Sequence, residues 1–387
     1  MKNKKDFLRG ALCGALAILL VTGVAACGKA ALGKADVLDK EARSKIGLLE
    51  TIVDQYYKDD VDLDDMKDGM YKGYISGLGD PYSVYYNPEE TEKLNESLSG
   101  EFGGIGALLR IDEEVGYVRI LNVYEDSPAE KAGLKNEDYI YKVDGQDMGG
   151  KDINEVVSYI RGEKGTEVQI TVIRGDNAEE IETTAVRDII EAETVTHEML
   201  DNKIGYIVIT EFDDVTYNQY VEAIEDLENQ GMDKLIVDLR NNPGGNLEIV
   251  RQIADYMLPE GTVVSTKDKN GKEEVLESDE ENQFNKPLVL LVNGMSASAS
   301  EIFAGAVQDF GTGTLVGETT YGKGIVQQIF SLKDGSSVKV TVSEYFTPSG
   351  RSIHGKGIEP DEVVPFEWNE EEEIPDNQLR KAIEILK

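Results

Sequence analysis

The chain has 387 residues, of which 40% are hydrophobic and 7% aromatic, which is enough for two or three folded domains. Asp and Glu number 75 against 39 Lys and Arg, and the resulting net charge of −36 argues against a nucleic-acid partner. Both cysteines, Cys13 and Cys27, lie near the N-terminus, and only His197 and His354 provide imidazoles. This composition argues against a disulfide framework, a thiol nucleophile and a metal centre in the rest of the chain.

Residues 1–28 have the pattern of an export signal or membrane anchor. The basic stretch KNKKDFLR precedes nineteen uncharged residues from Gly10 to Gly28, a length that can span a bilayer. The stretch VAAC, which ends at Cys27, is also similar to the lipobox of bacterial lipoproteins, in which that cysteine is acylated. A transmembrane anchor and a lipid anchor both remain open. Either one predicts an extracytoplasmic chain attached to a bacterial cell membrane.

Residues 36–98 are predicted to form a helical N-terminal segment. Apolar residues recur at three- and four-residue steps between Ile46 and Tyr57. The Gly- and Pro-containing run GLGDPYSVYYNPEE, Gly77 to Glu90, then interrupts regular structure.

Residues 99–176 alternate short strands with two helices, SPAEKAGL and KDINEVVSYIRG, and this order resembles a PDZ domain. The resemblance implies that FGGIGALL forms a carboxylate-binding loop and an edge strand that bind the C-terminal tail of a peptide. Arg161, at the end of the second helix, is a candidate for coupling that binding to an active site, a hypothesis that rests on position alone. The residues implied to contact the peptide are Gly103, Gly104, Ile105, Gly106, Ala107, Leu108, Val157 and Arg161.

Residues 188–366 alternate buried strands with helices, which indicates an α/β core. KLIVDLR and KPLVLLVNG are apolar strands, and each is followed by a Gly- or Ser-rich turn and then a helix. Residues 367–387 form an acidic linker and an amphipathic helix, for which docking on the chain and dimerisation are both open.

The stretch NGMSASASEIF places Ser296, Ser298 and Ser300 in a predicted turn between a strand and a helix. Backbone N–H groups are unpaired at such a turn and the helix dipole stabilises negative charge, which suits a nucleophilic serine. The same residues also fit a capping box, with Ser298 as the N-cap and Glu301 three residues later. This stretch alone leaves both interpretations open.

The longer run GMSASASEIFAGAVQDFGTGTLVGETTYGKGIVQQ, together with NNPGG, resembles the carboxy-terminal processing proteases, also called tail-specific proteases. The resemblance implies a multidomain α/β protein whose protease core is of the ClpP/crotonase-like type, with a Ser-Lys dyad and no cofactor. The site residues that it implies are the nucleophile Ser298, the base Lys323, its orienting partner Gln327, the oxyanion-hole donors Gly244 and Ala299, and the supporting acids Glu301 and Asp309.

A lysine acts as a general base only when it is neutral, whereas its ordinary pKa is about 10.4. The sequence is consistent with a neutral amine, because no acid lies between Glu318 and Asp334 and Gln327 is an uncharged amide. A triad of Ser298, His354 and an aspartate is an alternative, but Arg351 and the nearby Lys356 would lower the basicity of that histidine. The resemblance instead implies that His354 is a structural residue of a late strand.

These features together predict a membrane-tethered serine endopeptidase that captures proteins or peptides by apolar C-terminal tails, with a homodimer as an open oligomeric state. The alternative is a catalytically silent PDZ-containing scaffold, whose signature would be a lost nucleophile or base. Neither Ser298 nor Lys323 is lost. A weaker alternative is a carrier of lipids or small ligands on the same fold.

Overall fold

The computed structural model describes residues 37–175, 177–279 and 281–387, so the predicted export segment lies outside the described residues. Its helices are α1 (Lys40–Tyr56), α2 (Leu63–Ser76), α3 (Pro88–Ser99), α4 (Pro128–Lys131), α5 (Ile153–Ile160), α6 (Thr216–Asn229), α7 (Leu247–Met257), α8 (Ala299–Phe310) and α9 (Asn377–Ile385). None of the helices within these ranges has the length and apolar character needed to cross a membrane.

The strands follow the same chain order. They are β1 (Val84–Tyr86), β2 (Glu101–Gly104), β3 (Ala107–Asp112), β4 (Tyr117–Val123), β5 (Tyr139–Val143), β6 (Gln146–Asp147), β7 (Glu167–Arg174), β8 (Glu179–Val186), β9 (Asp188–Glu191), β10 (Val195–Leu200), β11 (Ile204–Ile209), β12 (Lys234–Asp238), β13 (Gly261–Asp268), β14 (Glu273–Ser278), β15 (Leu288–Val292), β16 (Thr314–Gly317), β17 (Ile325–Ser331), β18 (Ser337–Phe346) and β19 (Glu362–Val363).

The chain divides into two units, of which the first contains the described residues 37–88 and 329–340. Its two helices begin at aspartates whose side chains accept backbone amides: Asp39 accepts the amide of Ala42, and Asp62 accepts that of Asp64. The first helix contains most of the predicted apolar repeat and both helices lie within the predicted helical segment, yet neither has a buried residue. Strand β1 pairs antiparallel with the first residues of β18.

The second unit contains residues 89–328 and 341–387, and its first part is a PDZ-like antiparallel sheet in the order β3-β4-β5-β7-β8. Helix α5 covers this sheet with Val156 and Ile160, both buried among strand residues such as Ile120 and Ile140. Strand β3 lies at the sheet edge. The sheet extends past the predicted boundary at residue 176, because β8 pairs with β7 along its whole length as far as Val186.

The rest of the second unit is built on a six-stranded sheet in the order β10-β11-β12-β15-β16-β19. Strand β10 is antiparallel to β11 and the remaining pairs are parallel. All of β15 is buried because helices cover both faces of the sheet. Side chains of α6, α7 and α8 join Leu288, Leu290 and Val292 on one face, and α9 packs against Val289 and Leu291 on the other.

Two consequences of this topology matter for function. The C-terminal helix α9 docks on the core of its own chain, which is one of the two roles predicted for it. The segments that follow β12, β15 and β16 leave the same edge of the parallel sheet, since the carboxyl ends of parallel strands meet there. These three segments carry the NNPGG loop, the alternating serines and Lys323.

Candidate active site

The three alternating serines differ in what their hydroxyl groups do. The hydroxyl groups of Ser296 and Ser300, both fully buried, donate to the carbonyls of Leu239 at 2.8 Å and Asn242 at 3.0 Å. These bonds fasten the turn before α8 to the loop that follows β12. Ser298, between them, is only partly buried. Of the three, Ser298 is therefore the serine that a substrate can reach.

The backbone of Ser298 is strained. Its φ and ψ angles are 54° and −112°, a region that L-residues rarely occupy and that costs about 1–3 kcal/mol. The N-cap residues of α1, α5 and α9 instead have the extended backbone usual for caps, with φ between −64° and −74°. The predicted capping box is present, and in it Glu301 accepts the amide of Ser298. Capping alone does not explain the strain, which is typical of a nucleophile on a strand-to-helix turn.

Gly244 packs directly against the Ser298 turn. A Cβ atom on Gly244 would lie 2.7 Å from the carbonyl oxygen of Ala297, 2.7 Å from Cβ of Ser298 and 2.9 Å from the amide nitrogen of Ala299. Its φ of +106° also disfavours any side chain. Only glycine permits this close approach of the two segments.

The two proposed oxyanion-hole amides differ in availability. The amide of Gly244 already donates to Oδ1 of Asn242 at 2.8 Å, within its own loop. Ala299 is the first residue of α8, where backbone amides lack intrahelical acceptors. In this structure the Ala299 amide is therefore available to an oxyanion, whereas that of Gly244 becomes available only when its bond to Asn242 is exchanged.

Glu301 connects the nucleophile turn to the lysine loop. Its side chain is fully buried and accepts four hydrogen bonds. Oε2 accepts the amides of Ser298 at 3.0 Å and Lys323 at 2.8 Å. Oε1 accepts the Thr320 hydroxyl at 2.6 Å and the Gly322 amide at 2.7 Å. A carboxylate in this position holds the backbones of Ser298 and Lys323 within hydrogen-bonding distance of one oxygen atom.

The two glycines that flank Lys323 pass close to another backbone segment. A Cβ on Gly322 would lie 2.9 Å from the amide nitrogen of Gly357, and one on Gly324 would lie 2.6 Å from that of His354. The Gly-Lys-Gly motif thus permits a close approach of the Lys323 loop to the backbone of residues 354–357. Lys323 is partly buried, and Gln327 follows it in β17, with Nε2 3.5 Å from the Ile325 carbonyl oxygen.

The structure separates Asp309 from these contacts, whereas the backbone of His354 lies against Gly324. Asp309 lies at the far end of α8, about 16 Å along the helix from Ser298. Burial opposes its ionisation, but hydrogen bonds from Thr347 and Ser349 and the charge of Arg351 lower the pKa of Asp309. It anchors the loop that contains these residues. His354 is exposed and lies in a turn, not in the late strand expected for it.

Tyr345 is a site residue that the sequence analysis missed. Its buried hydroxyl donates to the Ser298 carbonyl at 3.0 Å, and its own amide donates to the carbonyl of Gly324 at 3.1 Å. Burial and the neighbouring Glu301 raise the pKa of Tyr345 well above its ordinary value, so the hydroxyl keeps its proton. The tyrosine lies in a strand with no motif around it, and only the folded chain brings it to the site.

The proposed peptide-binding residues lie in the two-stranded β2-β9 sheet, at the start of the edge strand β3, and on or just after helix α5. Gly103 and Gly104 are in β2, which pairs antiparallel with β9, and Gly106 has a φ of +74°. Ile105 is buried in the sheet's core, and Ala107 and Leu108 begin the edge strand β3. Val157 is partly buried on α5.

Arg161 follows α5 and contacts two neighbouring elements. Its guanidinium lies over the Phe102 ring, 4.0 Å from the centroid, and 3.7 Å from the Glu96 carboxylate of α3. It thus links the end of the PDZ-like helix to the strand that carries the carboxylate-binding loop.

Comparisons with known proteins agree with this architecture. The family model of peptidase family S41 matches residues 203–364, and a PDZ domain model matches residues 119–174. The carboxy-terminal processing protease CtpA of Bacillus subtilis is 41% identical over 312 residues, which cover 80% of this chain and 66% of that protein. The chain thus spans about two thirds of that relative's length.

Two further proteins extend the comparison. The carboxyl-terminal-processing protease of Synechocystis sp. is 37% identical over 319 residues, which cover 81% of this chain and 75% of that protein. The crystal structure of a putative S41 protease from Bacteroides fragilis superposes with a TM-score of 0.51 and 17% identity, and covers 88% of this chain and 96% of that one. The latter likeness concerns the fold alone.

Proposed function

We propose that this chain, which belongs to the carboxy-terminal processing proteases of peptidase family S41, is a serine-type endopeptidase with Ser298 as nucleophile and Lys323 as base. The observation that carries the proposal is the Glu301 oxygen that accepts the amides of both residues. The strained, partly buried Ser298 and the close approach of Gly244 support the same assignment. A serine and a lysine held together in this way suit acyl transfer.

The reaction follows from these positions. Neutral Nζ of Lys323 takes the proton of the Ser298 hydroxyl as Oγ attacks the scissile carbonyl carbon. The amide of Ala299 stabilises the oxyanion, joined by that of Gly244 when it leaves Asn242. The lysine then gives its proton to the departing amine as the C–N bond breaks. In the second half of the reaction it takes a proton from the attacking water and gives it to Oγ of Ser298 as the acyl ester breaks and releases the carboxylic acid product. Gln327 orients the lysine without adding a charge.

Substrates are proteins or peptides, and we assign their capture by an apolar C-terminal tail to the PDZ-like sheet. The tail adds as a strand to the free edge of β3, and its carboxylate contacts the Gly-rich loop that precedes this strand. Arg161 contacts the Phe102 ring. Through this contact a bound tail would alter the position of the sheet.

The proposed location is outside the cytoplasm. Residues 1–28 carry the sequence pattern of an anchor, either transmembrane or lipid-linked. Mass spectrometry of the membrane fraction distinguishes the two, since an acylated Cys27 would be the N-terminal residue of the mature protein.

The proposed oligomer is a homodimer formed through α1 and α2. Neither helix has a buried residue, and the large apolar side chains exposed on and around them are Val37, Leu38, Leu48, Leu49, Ile52, Tyr56, Tyr57, Leu63, Met66, Met70, Tyr71, Tyr74 and Leu78. Exposed large apolar side chains gathered on one pair of helices are typical of an interface. Sedimentation of the wild type and of Leu49→Asp tests it: the variant is expected to shift towards the monomer.

Degradation of an unfolded protein with an apolar tail tests the proposed activity. The wild type, Ser298→Ala and Lys323→Ala are compared at equal concentration. We expect turnover by the wild type only, with tail binding retained in both variants. Equal rates in all three would eliminate the Ser-Lys mechanism and support a silent scaffold.

A further inference from the structure

A cleft of about 800 Å³ lies beside the proposed carboxylate-binding loop, between α3, α5 and the segment that follows β11. Helix α3 contributes Glu89, Glu92, Lys93 and Glu96. Helix α5 presents one face to it, residues Asn154, Val157 and Ser158, followed by Arg161. Glu211 and Asp213 line it from the protease core, and the Phe102 ring lines it from β2.

The charges in this cleft do not balance. Its two cations are already paired, because Lys93 lies 2.6 Å from Glu89 and Arg161 lies 3.7 Å from Glu96. Glu92, Glu211 and Asp213 have no ion-pair partner among the described residues. Three carboxylates are therefore left without a compensating charge around a cleft that also offers an aromatic ring and the apolar Val157.

Asp213 is the member of this set that points to a ligand. Its side chain is only 6% exposed and accepts no hydrogen bond from any residue that the structure describes, although it lines the cleft. The Asp213 amide donates to Thr216, and Gly100 packs so closely that a Cβ there would lie 3.0 Å from Cβ of Asp213. A buried, unpaired carboxylate is unfavourable unless a partner arrives.

We propose that this cleft binds a lysine or arginine side chain near the C-terminus of the captured polypeptide, with Asp213 as its charge partner. The inference rests on the proposed capture of tails and adds a second determinant to it. The Phe102 ring and Val157 pack against the aliphatic stem of the side chain, and Glu92 and Glu211 contribute to the negative field.

The position of the cleft limits where that residue stands in the tail. Phe102 and Gly162 line the cleft, and the Gly162 amide donates to the carbonyl of Gly103 in the carboxylate-binding loop at 3.2 Å. The basic residue therefore lies within the last few positions of the tail. A metal ion is a poorer occupant, because the described residues contain no group of three or more side chains placed to ligate one.

The protonation of Asp213 gives the site a pH dependence. Burial, with the adjacent charges of Glu211 and Asp214, raises the pKa of Asp213 to about 7. The nearby cation of Arg161 is held by Glu96, and Lys93 by Glu89. A basic side chain is therefore bound better at pH 8, where Asp213 is ionised, than at pH 6.

Binding of labelled peptides to the full chain carrying Ser298→Ala tests the proposal without cleavage. Ten-residue peptides with an apolar tail carry lysine in turn at each of the second to fifth positions from the C-terminus. Matched peptides carry norleucine, which has a similar stem without the charge. Anisotropy titrations at pH 8 and pH 6 compare this parent chain with two variants of it, Asp213→Asn and Glu222→Gln. The second is the control, because Glu222 is an exposed acid of α6.

We expect lysine at one position to bind about tenfold more tightly than norleucine at pH 8. The advantage should shrink at pH 6, vanish in Asp213→Asn and persist in Glu222→Gln. Equal affinities for lysine and norleucine at every position, or an advantage that survives in Asp213→Asn, would overturn the inference. If Asp213→Asn does not fold, two other measurements test the inference. The advantage of lysine over norleucine should be smaller in Glu211→Gln, and in the parent chain it should be smaller at pH 6 than at pH 8.

Failure of the proposed capture would look different. In that case the norleucine peptides would also fail to bind, and the inference would fall with the proposal on which it rests.

Discussion

The backbone amides of Ser298 and Lys323 donate to the same oxygen atom, Oε2 of Glu301, at distances of 3.0 and 2.8 Å. The two residues are 25 positions apart and leave different strands of the parallel sheet. One buried side chain thus joins the backbones of the proposed nucleophile and base. Two further links exist, because the Tyr321 amide donates to the Ser296 carbonyl and Tyr345 donates to the carbonyls of Ser298 and Gly324. We expect the geometry of the proposed dyad to depend on Glu301, which contacts both backbones through one oxygen.

Glu301→Gln tests this dependence. An amide side chain has one acceptor oxygen in place of two and presents N–H donors to backbone donors, so we expect a loss of about 2 kcal/mol or more of stability. Because small displacements of reacting groups are costly, kcat should fall by about 100-fold or more. Chemical denaturation and steady-state kinetics measure the two effects.

The control is Asp309→Asn, which removes a carboxylate at the other end of the same helix. It should lower stability through the loss of its bonds to Ser349 and Arg351, with little change in kcat. A comparable loss of kcat in both variants would show that general destabilisation, rather than the position of the dyad, explains the result.

Gly244→Ala should abolish turnover. The new methyl group would lie 2.7 Å from Cβ of Ser298 and from the Ala297 carbonyl oxygen, so the NNPGG loop or the serine turn must move. Gly133→Ala is the matched control, since its φ is also positive, at +78°, but nothing lies within 4 Å of the added atom. We expect both variants to lose about 1 kcal/mol from backbone strain, and only Gly244→Ala to lose kcat. Activity retained in Gly244→Ala would contradict the close packing at the site.

Asp213 should make the unliganded protein less stable as the pH rises. Its pKa is about 7 in the folded chain and about 4 when unfolded, so the unfolded chain releases the proton first. The free energy of unfolding therefore falls between about pH 4 and pH 7. Asp213→Asn should remove this part of the decline. Urea denaturation at pH 5 and pH 8 measures it; identical pH dependences in the two proteins would contradict the assignment.

Asp376→Ala, a substitution at the N-cap of the C-terminal helix α9, should impair catalysis at the proposed active site. Asp376 caps α9 and lies 2.7 Å from the guanidinium of Arg240, which begins the loop carrying Gly244. Its removal leaves a mostly buried arginine with fewer partners, so we expect a loss of about 2–4 kcal/mol and a lower kcat. Asp62→Ala is the control, because Asp62 caps α2 in the same way without an arginine. If both variants lost the same free energy of unfolding and neither lost activity, the ion pair between Asp376 and Arg240 would have no role in positioning the loop that carries Gly244.

The elements that local sequence determines could be predicted. The apolar strands before NNPGG and before the serines, and the helices after them, lie where their periodicity and caps indicate. The resemblance assigns Ser298 and Lys323 to one site, and in the structure their amides donate to the same oxygen of Glu301, while Gly244 lies against Ser298. These features depend on residues close together in the chain or on recognisable motifs.

The rest depends on contacts between distant segments. Nothing around Tyr345 indicates that its hydroxyl reaches the Ser298 carbonyl, and the bond from Gly244 to Asn242 depends on one side-chain orientation. Strand β8 carries few buried side chains, so the sequence pattern does not indicate its place in the PDZ-like sheet, and the predicted boundary at residue 176 excludes it. The docking of α9 was one of two open outcomes, because an amphipathic helix does not specify its partner.

Labelling with a fluorophosphonate probe, followed by peptide mass spectrometry, tests the central assignment most directly. The probe is expected to modify Ser298 alone among the three alternating serines. Lys323→Arg should abolish the reaction, because a guanidinium remains protonated. Modification of Ser296 or Ser300, or undiminished labelling of Ser298 in Lys323→Arg, would contradict the account.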